Sequence, residues 1–154
     1  MDLRFGPLLK DDLPALLDLW VESWSHVYPG IRFDDRREWF DGHLTSWLDA
    51  GGACRVARAV DDRIVGFILI DPAKAHLDQI CVAHDLKGGG CGLALMREAQ
   101  RLSPRRIDLS VNASNHRAIR FYEREGFERV GEGINPNSGL PVFNYRWGPP
   151  PDAP

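Results

Sequence analysis

Val82-Ala83-His84-Asp85-Leu86-Lys87-Gly88-Gly89-Gly90-Cys91-Gly92 joins two segments of different periodicity. Before it, Leu77 to Val82 is a short apolar run that reads as a buried strand. After it, the spacing predicts a helix carrying Leu93, Leu95, Met96 and Leu102 and closing near Ser103-Pro104. A strand, a glycine loop and a helix in this order put free backbone N–H groups and the positive end of a helix dipole at Gly88 to Gly92, where an anion is favoured. Glycines let phosphate oxygens approach the amides and supply positive φ values. Lys87 adds a point charge. The residues alone also allow a plain flexible turn before a helix. Two other phosphate motifs fail by spacing: GxxxxGK[ST] needs a lysine after the glycines, and GxGxxG meets Leu93 or Leu95 where its last glycine belongs.

On the N-terminal side, Cys54 to Val60 and Ile64 to Ile70 flank the turn residues Asp61-Asp62-Arg63 and predict an antiparallel hairpin. Upstream, Leu13, Leu16, Leu17, Trp20 and Trp24 mark a helix after a cap at Asp11 or Asp12, ending near Pro29-Gly30. A second helix is expected from Asp34 or Asp35, with Asp35 and Glu38 spaced for a capping box and Phe40, Leu44, Trp47 and Leu48 as its apolar stripe. Leu3 to Phe5 is a short strand candidate. On the C-terminal side, strand, helix and strand recur at Ile107 to Val111, Asn115 to Glu125 and from Phe127, so a central βαβ crossover is predicted. Val142 to Trp147 is the last strand candidate.

The 154 residues, 44% apolar and 27% charged, suit one domain over residues 1–147, with a disordered proline-rich tail at 148–154. A net charge of -3 provides no basic footprint for nucleic acid. No apolar run reaches membrane length and no secretory leader is visible, so a cytoplasmic protein without a membrane partner is expected. Cys54, Cys81 and Cys91 have neither the parity nor the spacing of a disulfide framework or a zinc site, and no metal is expected.

A second segment, Leu109-Ser110-Val111-Asn112-Ala113-Ser114-Asn115-His116-Arg117-Ala118-Ile119-Arg120-Phe121-Tyr122-Glu123-Arg124-Glu125-Gly126-Phe127, follows the loop by about twenty residues. The two segments together resemble the GCN5-related N-acetyltransferase (GNAT) family, whose loop reads [RQ]xxGx[GA] after a strand ending in Val and whose later motif reads LxVxxxNxxAxxFYxxxGF. Lys87 stands where Arg or Gln is usual, and His84 where many members have Pro. The resemblance implies an α/β (α+β) fold: a mixed, mostly antiparallel sheet of six to seven strands, helices on both faces and a central βαβ unit that binds acyl-CoA. It implies acetyl-CoA as cofactor, held by Ile80, Cys81, Val82, Lys87, Gly88, Gly89, Gly90, Cys91, Gly92, Asn115 and Tyr122.

The implied activity is acyl transfer: an amine attacks the thioester directly, a backbone N–H near Val82 holds the oxyanion, and Tyr122 protonates the departing thiolate. For the base, His76 and Asp78 are the candidates beside a water relay, since strand alternation would turn His76, Asp78, Ile80 and Val82 to one face. Cys81 and Cys91 have no obvious activating base for a covalent route. The resemblance puts the acceptor pocket between the early helices and the sheet, near Trp24, His26, Tyr28 and Trp39, whose rings suit a cationic or apolar amine or else simply pack the core. The partner implied is a small-molecule or peptide amine; the loop 133 to 141 would line the pocket or a contact within a homodimer. The competing function is a non-catalytic sensor that binds acyl-CoA.

Overall fold

The computed structural model describes residues 2–149. Most of the proline-rich tail expected from 148 lies outside them. The chain runs β1 (Arg4–Pro7), α1 (Leu13–Val27), α2 (Arg37–Asp49), β2 (Ala53–Arg58), β3 (Ile64–Asp71), β4 (His76–Val82), α3 (Cys91–Leu102), β5 (Ile107–Asn112), α4 (His116–Arg124), β6 (Glu128–Ile134) and β7 (Pro141–Trp147). Among the described residues one seven-stranded sheet has the order β1-β2-β3-β4-β5-β7-β6, and only its β4–β5 pair is parallel. The mixed, mostly antiparallel sheet and the central βαβ unit are therefore present. β7 returns between β5 and β6, an order that no local pattern encodes.

The core lies around β3. Val65, Phe67, Ile68, Leu69 and Ile70 are fully buried, because helices cover this strand on both sides. Phe67 meets Phe40 of α2, whereas a Cβ at Gly66 would lie 2.8 Å from Leu95 Cδ1 of α3, so neighbouring positions on β3 face opposite helical layers. In the first layer Trp20 of α1 stacks on Phe40 at 4.4 Å between ring centroids. At the far edge β6 is mostly exposed, and a register shift between Arg129 and Gly131 leaves Val130 as an extra residue.

Two local expectations are corrected. Asp34 and Asp35 lie in a 3-10 turn (Phe33–Arg36), and α2 begins at Arg37 with no side-chain cap, so the Asp35–Glu38 capping box is not made. Asp35 pairs instead with Arg32 at 3.3 Å, and Asp34 with Arg37 at 3.4 Å. The second correction concerns β4. Its register against β3 slips between Leu69 and Ile70, leaving Asp78 as an extra residue opposite the step. A bulge of this kind breaks strict alternation. His76 meets Trp47, and Asp78 meets His43, both on α2. Ile80 and Val82 face the other layer, Ile80 by its pairing with Ile68 and Val82 with its Cγ2 3.8 Å from where a Cβ of Gly92 would lie. The expected shared face of His76, Asp78, Ile80 and Val82 is therefore divided.

Candidate active site

β4 and β5 pair at a single position, His76 with Asp108, supported by the Asp108 N–H donating to the Ala75 carbonyl at 2.7 Å. From there the strands separate towards Val82 and Asn112. The split leaves the β5 side of residues 79 to 81 without a strand partner, an unpaired row of backbone groups inside a sheet. A gap of this sort accepts an extended ligand with its own amides.

One end of the gap leads to the glycine loop. Gly88 and Gly90 adopt φ of +84° and +91°, values that an L side chain rarely takes, and Gly90 precedes α3. The N–H groups of Gly88, Gly90, Cys91 and Gly92 make no hydrogen bond among the described residues, so four donors converge at the helix start. Cations flank them. Lys87 is half-buried, and Arg117 Nη2 lies 4.0 Å from where a Cβ of Gly88 would stand. Burial first, and then the Arg117 charge, holds the Lys87 ammonium below the usual lysine range. A cradle of free amides between two cations fits a pyrophosphate. Gly92 differs from its neighbours: its φ is not positive, and an added Cβ would make only ordinary contact with Val82 and Phe121, so its N–H joins the cradle without a need for glycine.

α4 borders the same region. Asn115 caps it, its Oδ1 accepting from the Ala118 N–H at 3.3 Å. Tyr122 is buried between Phe121 and Phe127, and its hydroxyl has no hydrogen-bond partner among the described residues. Burial pushes its phenol well above the ordinary tyrosine range. Burial therefore favours its protonated, neutral form.

The other mouth of the gap, on the α1–α2 side, opens into a cavity of about 340 Å³. Gln79 of β4 and Asn112 of β5 stand at its base, and Trp20, Trp24, Tyr28 and Trp39 form its walls. The loop 135–140 closes it: Asn135 Oδ1 accepts from the N–H groups of Asn137 and Ser138, and the Gly139 N–H donates to the Asn135 carbonyl at 2.8 Å. Tyr28 ties α1 across the gap through its hydroxyl, 2.9 Å from Ser114 Oγ. The structure thus brings Trp24, Tyr28 and Trp39 together, whereas His26 stacks on His84 at 3.7 Å.

The two base candidates separate. His76 contacts Trp47 and lines a second cavity with Lys74, Asp108 and Arg146. Asp78 takes a hydrogen bond with His43 Nε2 at 2.8 Å, beside Gln79 in the chain, and Trp39 stacks on the same imidazole at 4.9 Å. His43, Gln79 and Arg117 were missed by sequence reasoning. His43 carries a helical-spacing signal, four residues after Trp39 and before Trp47, but nothing local ties it to Asp78. Burial pushes the Cys81 thiol up to about 12 and the Cys91 thiol up to about 11, which keeps both protonated and poor as nucleophiles.

Among known proteins, the acetyltransferase (GNAT) domain matches residues 43–148. The peptidyl-lysine N-acetyltransferase YiaC of Escherichia coli is 29% identical over 138 residues, 90% of this chain and 92% of that protein. The peptidyl-lysine N-acetyltransferase YjaB of the same organism is 31% identical over 126 residues, 82% of each chain. The fold is shared with the PaiA N-acetyltransferase of Thermoplasma acidophilum, solved in complex with coenzyme A, at a TM-score of 0.72 and 19% identity, covering 94% of this chain and 98% of that one. A glycine cradle, a strand pair split at its root and a domain match across two thirds of the sequence agree: the chain belongs to the GNAT family of acetyl-CoA-dependent N-acetyltransferases.

Proposed function

We propose that the protein acetylates the primary amine of a small molecule or peptide, the amine entering through the aromatic cavity and meeting acetyl-CoA in the gap between β4 and β5. The observation that carries this reading is the split itself. A single paired position at His76 and Asp108 leaves one channel with a phosphate cradle at one end and a ring-lined cavity on its other face. When bound, acetyl-CoA supplies an activated thioester.

The remaining tasks fall to the chain. The free amides of Gly88, Gly90, Cys91 and Gly92, with Lys87 and Arg117, bind the anionic end, and the free backbone of Ile80, Cys81 and Val82 aligns the extended arm. Asn115 retains its side-chain NH2 for the same ligand while its oxygen caps α4. On the β5 side, where β4 has no strand partner beyond His76, a backbone N–H of the stretch leading to Val82 serves the developing oxyanion. Tyr122 holds a proton in an apolar setting and gives it to the leaving sulfur. Asp78, paired with His43, accepts the proton of the amine, directly or through water; His76 lies against Trp47 and faces the second cavity. Trp24, Tyr28 and Trp39 hold the acceptor.

The peptidyl-lysine relatives favour an amine acceptor in this protein too. Three reduced, buried cysteines suit a cytoplasmic location, which we include in the proposal. Calorimetric titration with acetyl-CoA, followed by a thiol-release assay across a panel of amines, tests the reading. Micromolar binding with amine-dependent release is expected; an absence of binding at millimolar acetyl-CoA would rule it out.

A further inference from the structure

The charge at the acceptor cavity is one-sided. Its walls are rings and its base is carboxamide, yet among the described residues no aspartate or glutamate lines it, and its one charged residue is Arg36. The two aspartates that precede Arg36 in the turn, and Asp18 of α1, are committed elsewhere. Asp35 pairs with Arg32, while Asp34 and Asp18 pair with Arg37, at 3.4 and 2.7 Å. Among the described residues Arg36 has no ion pair; its guanidinium stands over the Phe33 ring, 5.4 Å from the centroid, which holds the charge at the cavity rim.

A polyamine, or any substrate with a second cation, would bring its extra charge towards this guanidinium with no carboxylate in the cavity to offset it. Ring faces and carboxamide oxygens hold a cation only through dipoles and quadrupoles, whereas the Arg36 guanidinium carries a full charge and offers a carboxylate a charge-assisted, bidentate hydrogen bond. The stronger polar attraction available here is therefore for an anion. Between Arg36 and the carboxamides of Gln79 and Asn112, the stacked pair Trp24 and Tyr28, 6.0 Å apart and nearly parallel, offers a flat apolar wall. A volume of about 340 Å³ sits at the small end of pockets that enclose a whole small molecule.

We propose that the acceptor is an amino carboxylic acid with an aromatic or large apolar body, its carboxylate on Arg36, its body on the Trp24–Tyr28 wall and its amine at Gln79 and Asn112. This inference rests on the acetyl-transfer reading and narrows it. Arg36 is then a specificity-determining residue for the anionic end.

The test compares kcat/KM by thiol release for phenylalanine, tryptophan and leucine with their amides, with spermidine and with an Nα-blocked lysine peptide, in the unmodified protein and in Arg36→Gln and Arg36→Lys. The free acids should exceed their amides by about tenfold, the weight of one charge-assisted contact at a partly solvated site. Arg36→Gln should bring that ratio to about one, through KM rather than kcat, and Arg36→Lys should restore part of it. Preference for the amides, spermidine or the lysine peptide would overturn the inference and leave acetyl transfer standing, as would a ratio unmoved by Arg36→Gln. Failure of every amine to release thiol from a protein that binds acetyl-CoA would overturn both.

Discussion

The two ends of the gap between β4 and β5 are built from different materials. The glycine end is made of backbone: four free amides, two glycines at positive φ and a helix start, with side chains only at its margin. The aromatic end is made of side chains drawn from α1, the 3-10 turn, α2, β4, β5 and the loop 135–140. A backbone site depends on residues at fixed spacing along one segment, and a side-chain site on residues that only the finished fold brings together. The first constrains what an anionic ligand must look like; the second is free to vary in what it accepts.

That contrast can be broken most sharply at the chemistry between the two ends. Tyr122→Phe removes a hydroxyl but no packing surface, and kcat in the thiol-release assay should fall about a hundredfold, the scale of a general acid, with acetyl-CoA affinity little changed. Asp78→Asn should give a loss of similar order that shrinks as pH rises, because a less protonated amine has less need of a base. A kcat unmoved by either change would show that proton transfer is handled elsewhere.

A smaller effect separates two glycines in one loop. Gly90→Ala forces a side chain into φ of +91°, a strain of roughly 1–2 kcal/mol, so acetyl-CoA should bind about tenfold more weakly by calorimetry. Gly92→Ala adds a Cβ in ordinary contact with Val82 and Phe121, and its affinity should match the unmodified protein. Equal losses at both would mean that flexibility, rather than backbone conformation, makes the cradle.

The smallest effect is electrostatic. Lys87 is held below the usual lysine range by burial and by Arg117, and a bound pyrophosphate favours its charged form. Below its lowered pKa the ammonium is charged with or without ligand, and affinity is flat. As pH rises through that pKa, binding has to take up a proton, so the dissociation constant should climb a few-fold at alkaline pH. Lys87→Arg should flatten the climb.

The same contrast governs what was legible in the sequence. Gly88 to Gly92 with the apolar periods on either side marked the strand, loop and α3; Asp61 to Arg63 marked the hairpin; Asn115 and Gly126 bracketed α4. Each is a local signal. The bulge at Asp78 is not, because it exists only in the pairing of β4 with β3, and it divides residues that simple alternation would keep together. The placement of β7 beside β5 depends on partners 30 to 40 residues away along the chain. Asp35 lost its predicted capping role because a 3-10 turn precedes α2 and Arg32 claims its carboxylate. His43 and Arg117 carry no motif, and only the fold shows the first against Asp78 and the second beside the cradle.

The extra residue in β6 bears on how the molecule behaves in a crowd of its own copies. An outermost strand exposes a row of donors and acceptors that another chain's strand can join. Here that row is kinked at Val130 and carries Glu128, Arg129 and Glu132, while the opposite margin, β1, is four residues long and ends in Pro7, which has no N–H to offer. Both devices oppose growth of the sheet from molecule to molecule, so a fold with an open seam at its centre is guarded at its rims against edge-to-edge pairing.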